Sequence, residues 1–337
     1  MLRIFGPAVV GALLALAAPA DAQQVPDTTF RFANPQPAYA RSTGPRVCID
    51  AAHRNFHTMQ GRYRAFTTML EQDGYRVRSN EVPFAADALR ACDIVVIANP
   101  ASINRSETGG YPHDSALNES ELSALVTWIW GGGSLLLIAD HAPVPGAEFA
   151  LATSLGFTLF DGYVAASDSA MSPAVFGAAD ESVYRLLAQR RTVSAAELQR
   201  LAGAPGILGN HVILRGRNPR ESVSTVVTFT GTAFHGARDV EPLLIWGRDA
   251  VGAAYIGFNV PEAKAPDDGP VTSFAGWLHG GVRRVGAGRV ALLGEAAMCS
   301  AQWAGEQRVP MGMNAPYASQ NAQFCLNVVR WLSGALQ

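Results

Sequence analysis

The chain has one lysine, Lys264, among its 26 basic residues. That scarcity removes most lysine chemistry, including a Schiff base, from the list of mechanisms. A formal net charge of −2 gives no basic field of the kind nucleic-acid binders use. No G-x-S-x-G elbow is present. No G-x-G-x-x-G follows the first strand-like run and no phosphate loop occurs, which argues against dinucleotide and nucleotide cofactors. The four cysteines, Cys48, Cys92, Cys299 and Cys325, form no CxxC pair and no zinc-ribbon spacing. Beyond the N-terminus no run reaches the roughly 18–20 apolar residues that a membrane span requires.

What is present begins with an export signal. Arg3 supplies a positive end, Ile4 to Ala18 form a nearly continuous apolar run, and Ala20-Asp21-Ala22 places small residues before Gln23. The pattern predicts a cleavable signal peptide over residues 1–22, with an uncleaved anchor as the alternative. The residue immediately after the cleavage point is Gln23 and not a cysteine, so a lipid anchor is not expected. A soluble periplasmic or secreted protein follows, with no membrane span after cleavage. Residues 23–44 are rich in Pro, Ala, Gln and Thr and read as an extended leader without chemistry of its own. Residues 45–337 suffice for one large domain or two small ones, and with no internal repeat or linker in view a single domain is expected. In an oxidising compartment the cysteines can pair in three ways. Pairing of 48 with 92 and 299 with 325 suits their positions along the chain, and four buried free thiols are the alternative.

The periodicity alternates between strand and helix. Strands are expected at Arg46–Asp50, Tyr75–Arg78, Asp93–Pro100, Ser134–Asp140, Phe157–Phe160 and Arg289–Gly294. Helices are expected at Tyr63–Gly74, after Asn118 with Glu121 in capping-box spacing, after Pro145, and at the C-terminus through Cys325, Val328, Val329 and Leu332. Such alternation means an α/β fold with parallel strands covered on both faces. Helices at 181–190 and 194–201 and strands near 223–230, 242–246 and 253–258 are assigned to a less regular middle region.

Ligand sites in open α/β sheets form beyond the carboxyl ends of the strands. Here those ends carry Asp50-Ala-Ala-His53-Arg-Asn55-Phe-His57, Asn99 with a loop holding Glu107, His113 and Asp114, Asp140-His141, and Gly294-Glu295. Asp50, His53, His57 and His141 form a candidate set of ligands for zinc or manganese, because imidazole and carboxylate suit such ions. Asp140, His141 and Glu295 are the candidate catalytic groups, Glu295 as acid/base. Asn55, Asn99, His113, Asn314, Gln320 and Asn321 are candidate ligand-binding residues. Each has a structural alternative, since His and Asn at strand ends and helix entries often cap or anchor a turn. Trp277, Trp303, His235 and His279 are possible neighbours of the same cleft.

The runs Ile49–His53, Trp128–His141, Gly288–Ala297 and Asn321–Leu332 resemble a group of exported bacterial proteins of undetermined activity in the class I glutamine amidotransferase-like superfamily. The resemblance spans about residues 46–332. It implies a flavodoxin-like, mainly parallel sheet with helices on both faces and an inserted irregular and β segment at about 165–220. In the superfamily's amidotransferases a Cys nucleophile follows the strand matching Ser134–Ala139. This sequence has Asp140-His141 there, so glutaminase activity is not implied. Two functions are expected from this reading. One is a hydrolase, metal-assisted in one version, acting on carbohydrate, peptide or cell-wall material. The other is a catalytically inert sugar- or peptide-binding domain.

Overall fold

The structure, a computed structural model, describes residues 24–102, 114–166, 173–178, 183, 185, 205–229, 231–254 and 272–337. The expected signal peptide and nearly all of 181–190 and 194–201 lie outside the described residues.

The architecture is mixed α/β, built on one ten-stranded sheet. Nine strands carry the argument: β1 (Arg46–Asp50), β2 (Arg76–Asn80), β3 (Ile94–Ala98), β4 (Ser134–Ile138), β5 (Phe157–Leu159), β6 (Phe234–Gly236), β7 (Glu241–Ile245), β8 (Leu278–Val285) and β9 (Gly288–Leu293). Their spatial order is β2-β1-β3-β4-β9-β8-β6-β5, with β7 also pairing with β8. From β2 to β9 every neighbouring pair is parallel. Beyond β9 the pairing is antiparallel, starting with the β8–β9 hairpin. That long antiparallel strand β8, with Gly280-Gly281 in its middle, was not expected from the sequence. Its paired glycines and the adjacent Arg283 and Arg284 hide the apolar period.

The sheet is buried on both sides because its side chains alternate. Val47, Ile49, Ile94, Val96, Leu136 and Ile138 point to one face. There they meet α1 (Arg64–Gln72) through Phe66, Met69 and Leu70, and α4 (Asn321–Leu332) through Phe324, Val328 and Val329. Cys48, Val95, Ile97, Leu135 and Leu137 point to the other. They pack on Leu125 and Ile129 of α2 (Glu119–Trp130) and Leu151 of α3 (Val144–Ser154). The Asn118 cap forms as expected: its side chain accepts the Glu121 N–H, and Glu121 accepts the Asn118 N–H. Among the described residues no helix is long and apolar enough to cross a membrane.

Both disulfides, Cys48–Cys92 and Cys299–Cys325, are present, so the described residues contain no free thiol. The segment expected as a leader is held in place. Val25–Pro26 pairs antiparallel with the strand Ala301–Ala304, and Asn34 and the Ala38 N–H donate to Asp73 at 2.7 and 2.8 Å. In the middle region, Ala174–Gly177 pairs with Thr225–Thr228, and Gly162–Ala165 with Val251–Ala254. Residues 255–258 of the strand expected there lie outside the described residues.

Candidate functional site

Four adjacent parallel strands deliver polar residues to one edge. Asp50 ends β1, Asn99 follows β3, Asp140 lies two residues past β4, and Glu295 two past β9. All four are buried. The convergence expected from strand ends is therefore observed, but the groups divide the work differently.

Asp50 and His53 form one unit. His53 Nδ1 lies 2.8 and 3.0 Å from the two Asp50 oxygens, and its Nε2 lies 2.8 Å from Glu121 Oε1. Burial would lower the proton affinity of His53, but the bonds and charges of Asp50 and Glu121 outweigh it and raise the imidazole above its ordinary range. Glu121 feels the same competition. Burial pushes it up, while His53 and the N–H groups of Asn118 and Phe84 bring its carboxyl below the ordinary value. Glu121 was expected only as the second half of a capping box, and nothing in its spacing marked it as a partner of His53.

This corrects the metal assignment. Both ring nitrogens of His53 are committed to carboxylates. His141 Nδ1 is 2.8 Å from the Ala142 carbonyl, and both nitrogens of His57 lack a partner. Asp50, His53, His57 and His141 do not converge, and among the described residues no group of three His, Cys, Asp or Glu side chains is arranged to hold a metal ion. The residues present do not fit the expected zinc or manganese.

Asp140 is the electrostatic centre of the edge. Asn99, in a left-handed conformation with φ 50° that Asn tolerates, donates to Asp140 Oδ2 at 3.3 Å and accepts the Asp140 N–H at 3.2 Å. The His141 N–H donates to Asp140 Oδ1 at 2.8 Å. Burial works to raise Asp140, but His141, His57 and Asn99 prevail and hold the carboxyl below its ordinary range, so it stays ionised. Its charge acts on His57, Arg62, Tyr63, Glu148, Tyr163, His279 and Glu295.

Two neighbouring carboxyls go the other way. Burial, then the charges of Asp140 and Asp50, raise Glu148 well above the ordinary carboxyl range. Burial and Asp140 do the same to Glu295. Glu295 also spends both oxygens on the chain, accepting the N–H of Ala297 at 2.6 Å and of Met298 at 2.8 Å. It braces the turn after β9, which corrects the expectation of a catalytic acid/base. Glu148 has no hydrogen-bond partner for either oxygen.

His141 differs from the other imidazoles at this edge in being only half-buried. Its ring stacks on Tyr163 with centroids 4.2 Å apart. Because a carbonyl can only accept, Nδ1 carries the proton toward Ala142, which leaves Nε2 of the neutral ring as an acceptor. His57 and His279 are fully enclosed, and burial first of all lowers them to about 3 and about 4. His279 donates from Nδ1 to the Thr232 carbonyl at 2.7 Å. Gly231 passes so close that a Cβ there would lie 2.5 Å from the His279 ring, and its φ of 150° favours glycine.

The remaining expected ligand-binding residues serve the fold. Asn55 accepts the His53 N–H at 3.2 Å. Asn314 donates to Asp27 and to the Gln302 carbonyl, both at 3.1 Å. Gln320 accepts the N–H groups of Ser224 and Thr225, and Asn321 accepts that of Val227 while donating to its carbonyl. These three fasten the last helix and its approach to neighbouring segments. His113 lies outside the described residues.

No family model matches the chain, and no curated protein matches it. Solved structures of similar shape include the mmIFT52 N-terminal domain, 12% identical, with 86% of this chain and 97% of that chain covered and a TM-score of 0.50. Another is a ThuA-like protein from Bacteroides uniformis ATCC 8492, 13% identical over 89% of this chain and 95% of that one, with a TM-score of 0.44. At such identities the likeness to the first is one of fold alone.

Proposed function

We propose that this chain is an exported hydrolase built on the class I glutamine amidotransferase-like fold. The parallel order β2-β1-β3-β4-β9 supports the flavodoxin-like form of that fold, with the antiparallel strands as its extension. Two disulfides are in keeping with an oxidising compartment. The substrate is carbohydrate, peptide or cell-wall material.

The observation that carries the reading is His141, half-buried on the turn after β4 with its tautomer fixed by Ala142 and its ring on Tyr163. Nε2 takes the proton of an attacking water, and the ionised Asp140 beside it stabilises the imidazolium that forms. Glu148, whose carboxyl is raised well above the ordinary range by burial and by the charges of Asp140 and Asp50, is the acid for the leaving group. A carboxyl pair pushed apart in proton affinity suits those opposite tasks. Cysteine attack is closed to the described residues, since every cysteine is in a disulfide.

A second reading, a binding domain without turnover, is favoured by one fact: His53 and Glu295 are wholly occupied inside the protein. The mature protein incubated with peptidoglycan, oligosaccharide and peptide panels decides between them. Release of reducing ends or amines, falling about 100-fold or more in His141→Ala at unchanged melting temperature, supports the hydrolase. Saturable binding with no product release from any panel member leaves the binding domain.

A further inference from the structure

The two disulfides sit in different electrostatic surroundings. Arg78, exposed on the edge strand β2, lays one guanidinium across both sulfurs of Cys48–Cys92. Its Nε is 3.1 Å from Cys48 Sγ and its Nη2 is 3.6 Å from Cys92 Sγ. Among the described residues no carboxylate forms an ion pair with Arg78, and Asp93, next to Cys92 in the chain, is taken by Arg46 at 2.7 Å. Among the same residues no cation hydrogen-bonds to Cys299–Cys325. Both of those cysteines are fully enclosed, and the polar contact of Cys325 Sγ is the Met298 carbonyl oxygen at 3.7 Å, the negative end of a dipole.

In thiol–disulfide exchange a thiolate attacks one sulfur and expels the other as a thiolate, and the reaction runs faster when the leaving thiolate is stabilised. A disulfide sulfur is a weak acceptor and makes little use of a guanidinium, whereas a thiolate beside the same cation is strongly favoured. Cys48 is fully buried, which by itself disfavours its anion, and Arg78 Nε is placed to offset that. Cys92, at the turn before β3, is 5% exposed. The more accessible cysteine and the one nearer the cation therefore lie on opposite sides of the bond, as attack on Cys92 with departure of Cys48 requires.

We propose that Cys48–Cys92 is a thiol-exchange site, opened in the folded protein by a small thiol. The thiolate of that reagent bonds to Cys92 Sγ, the S–S bond breaks, and its electron pair leaves on Cys48 Sγ beside Arg78. A second molecule of the thiol then removes the first from Cys92. The reagent ends as its own disulfide, two electrons pass to the cysteines, and both sulfurs take up the protons that the reagent released. Opening frees β1, whose last residue is Asp50, from the turn before β3. The rate of exchange in the native state is separate from the stability that the bridge confers by constraining the unfolded chain. The exchange site stands independently of the hydrolase reading.

The test treats the folded mature chain with 2-mercaptoethanol at about pH 8, near the ordinary thiol range, and follows it by timed alkylation and peptide mass spectrometry. Cys48 and Cys92 should be alkylated about 10-fold faster than Cys299 and Cys325, or more, and the mercaptoethanol adduct should be on Cys92. Arg78→Gln should slow that opening by about 10-fold, whereas Arg78→Lys, which keeps a charge, should stay within about 3-fold of wild type. Both disulfides opening together, Cys299–Cys325 opening first, an adduct on Cys48, or Arg78→Gln matching wild type overturns the inference. If Arg78→Gln does not fold, the order of opening and the adduct position in the wild-type chain decide alone.

Discussion

His53 Nε2 lies 2.8 Å from Glu121 Oε1 while Nδ1 is held by Asp50, so one imidazole bridges β1 and helix α2 between two carboxylates. Glu121 also accepts the N–H groups of Phe84 and Asn118. Truncating it strands a buried partner and half a helix cap, and Glu121→Ala should cost about 3 kcal/mol. The pH dependence carries a sign. His53 is raised on folding, so its contribution is complete below the ordinary imidazole value and is lost as pH rises through the higher folded one. Glu121 is lowered, so its share is lost as pH falls through its folded value. Urea denaturation at a series of pH values should show the largest gap between wild type and Glu121→Ala near pH 6, closing toward alkaline pH. A gap that stays constant up to pH 9 would mean His53 is not ionised in the bridge.

Stability should also fall as pH rises from the ordinary carboxyl range toward neutrality and above, because of Glu148 and Glu295. Both are raised on folding, so there the native state binds more protons than the unfolded chain and the slope of stability with pH is negative. His57 and His279, lowered to about 3 and about 4, act oppositely, removing stability as pH falls below the imidazole range. Glu148→Gln should therefore be more stable than wild type at pH 8 and no more stable at pH 4. Melting temperatures of the two proteins across that range measure it. A variant less stable at both ends would show that Glu148 is ionised and paired.

The sequence made the sheet edge readable but not the distribution of roles along it. Ends of apolar runs located Asp50, Asn99, Asp140 and Glu295 at neighbouring strand termini, because strand order and handedness follow from the alternation of elements. Whether a side chain is already satisfied depends on long-range contacts that periodicity does not encode. Glu121 reaches His53 across 68 residues of sequence, and Arg62, Tyr63 and Glu148 surround Asp140 from elements read only as packing helices and their entries. The backbone N–H groups that occupy Glu295 exist only once the turn at Ala297 has formed.

The N-terminal segment should depend on one buried arginine. Arg330 in α4 is fully enclosed and donates to both Asp73 oxygens at 2.8 and 2.6 Å, with Glu221 3.0 Å away. Arg330 also donates to the Gln36 carbonyl at 3.1 Å, and Asp73 receives Asn34 and the Ala38 N–H. Removing the cation leaves Asp73 buried and uncompensated, a loss of about 3–5 kcal/mol. Arg330→Ala should unfold at lower urea and expose residues 34–38 to limited proteolysis before the rest of the chain. Cleavage elsewhere first, with 34–38 protected, would show that the segment is held by its other contacts.

The two disulfides should contribute unequally, and the larger share belongs to the one that closes the longer loop. Cys48–Cys92 closes a loop of sequence separation 44, Cys299–Cys325 one of 26. Loop-closure entropy gives about 4 kcal/mol for the first and about 3.5 kcal/mol for the second. Packing widens the difference. Cys48 is in the middle of β1, two residues before Asp50, and Arg78 donates to its sulfur at 3.1 Å from the neighbouring strand β2. Replacing Cys48 and Cys92 with Ala removes that acceptor and loosens β1 against the turn before β3, the strand whose end holds Asn99. The double variant should lose more stability in urea than Cys299→Ala with Cys325→Ala. It should also weaken the Asp140 site through β1, seen as slower product release from the panel substrates, whereas the other pair acts on the turn that Glu295 braces. Equal effects of both pairs on product release, in proportion to lost stability, would place the site's dependence on overall stability and not on the position of β1.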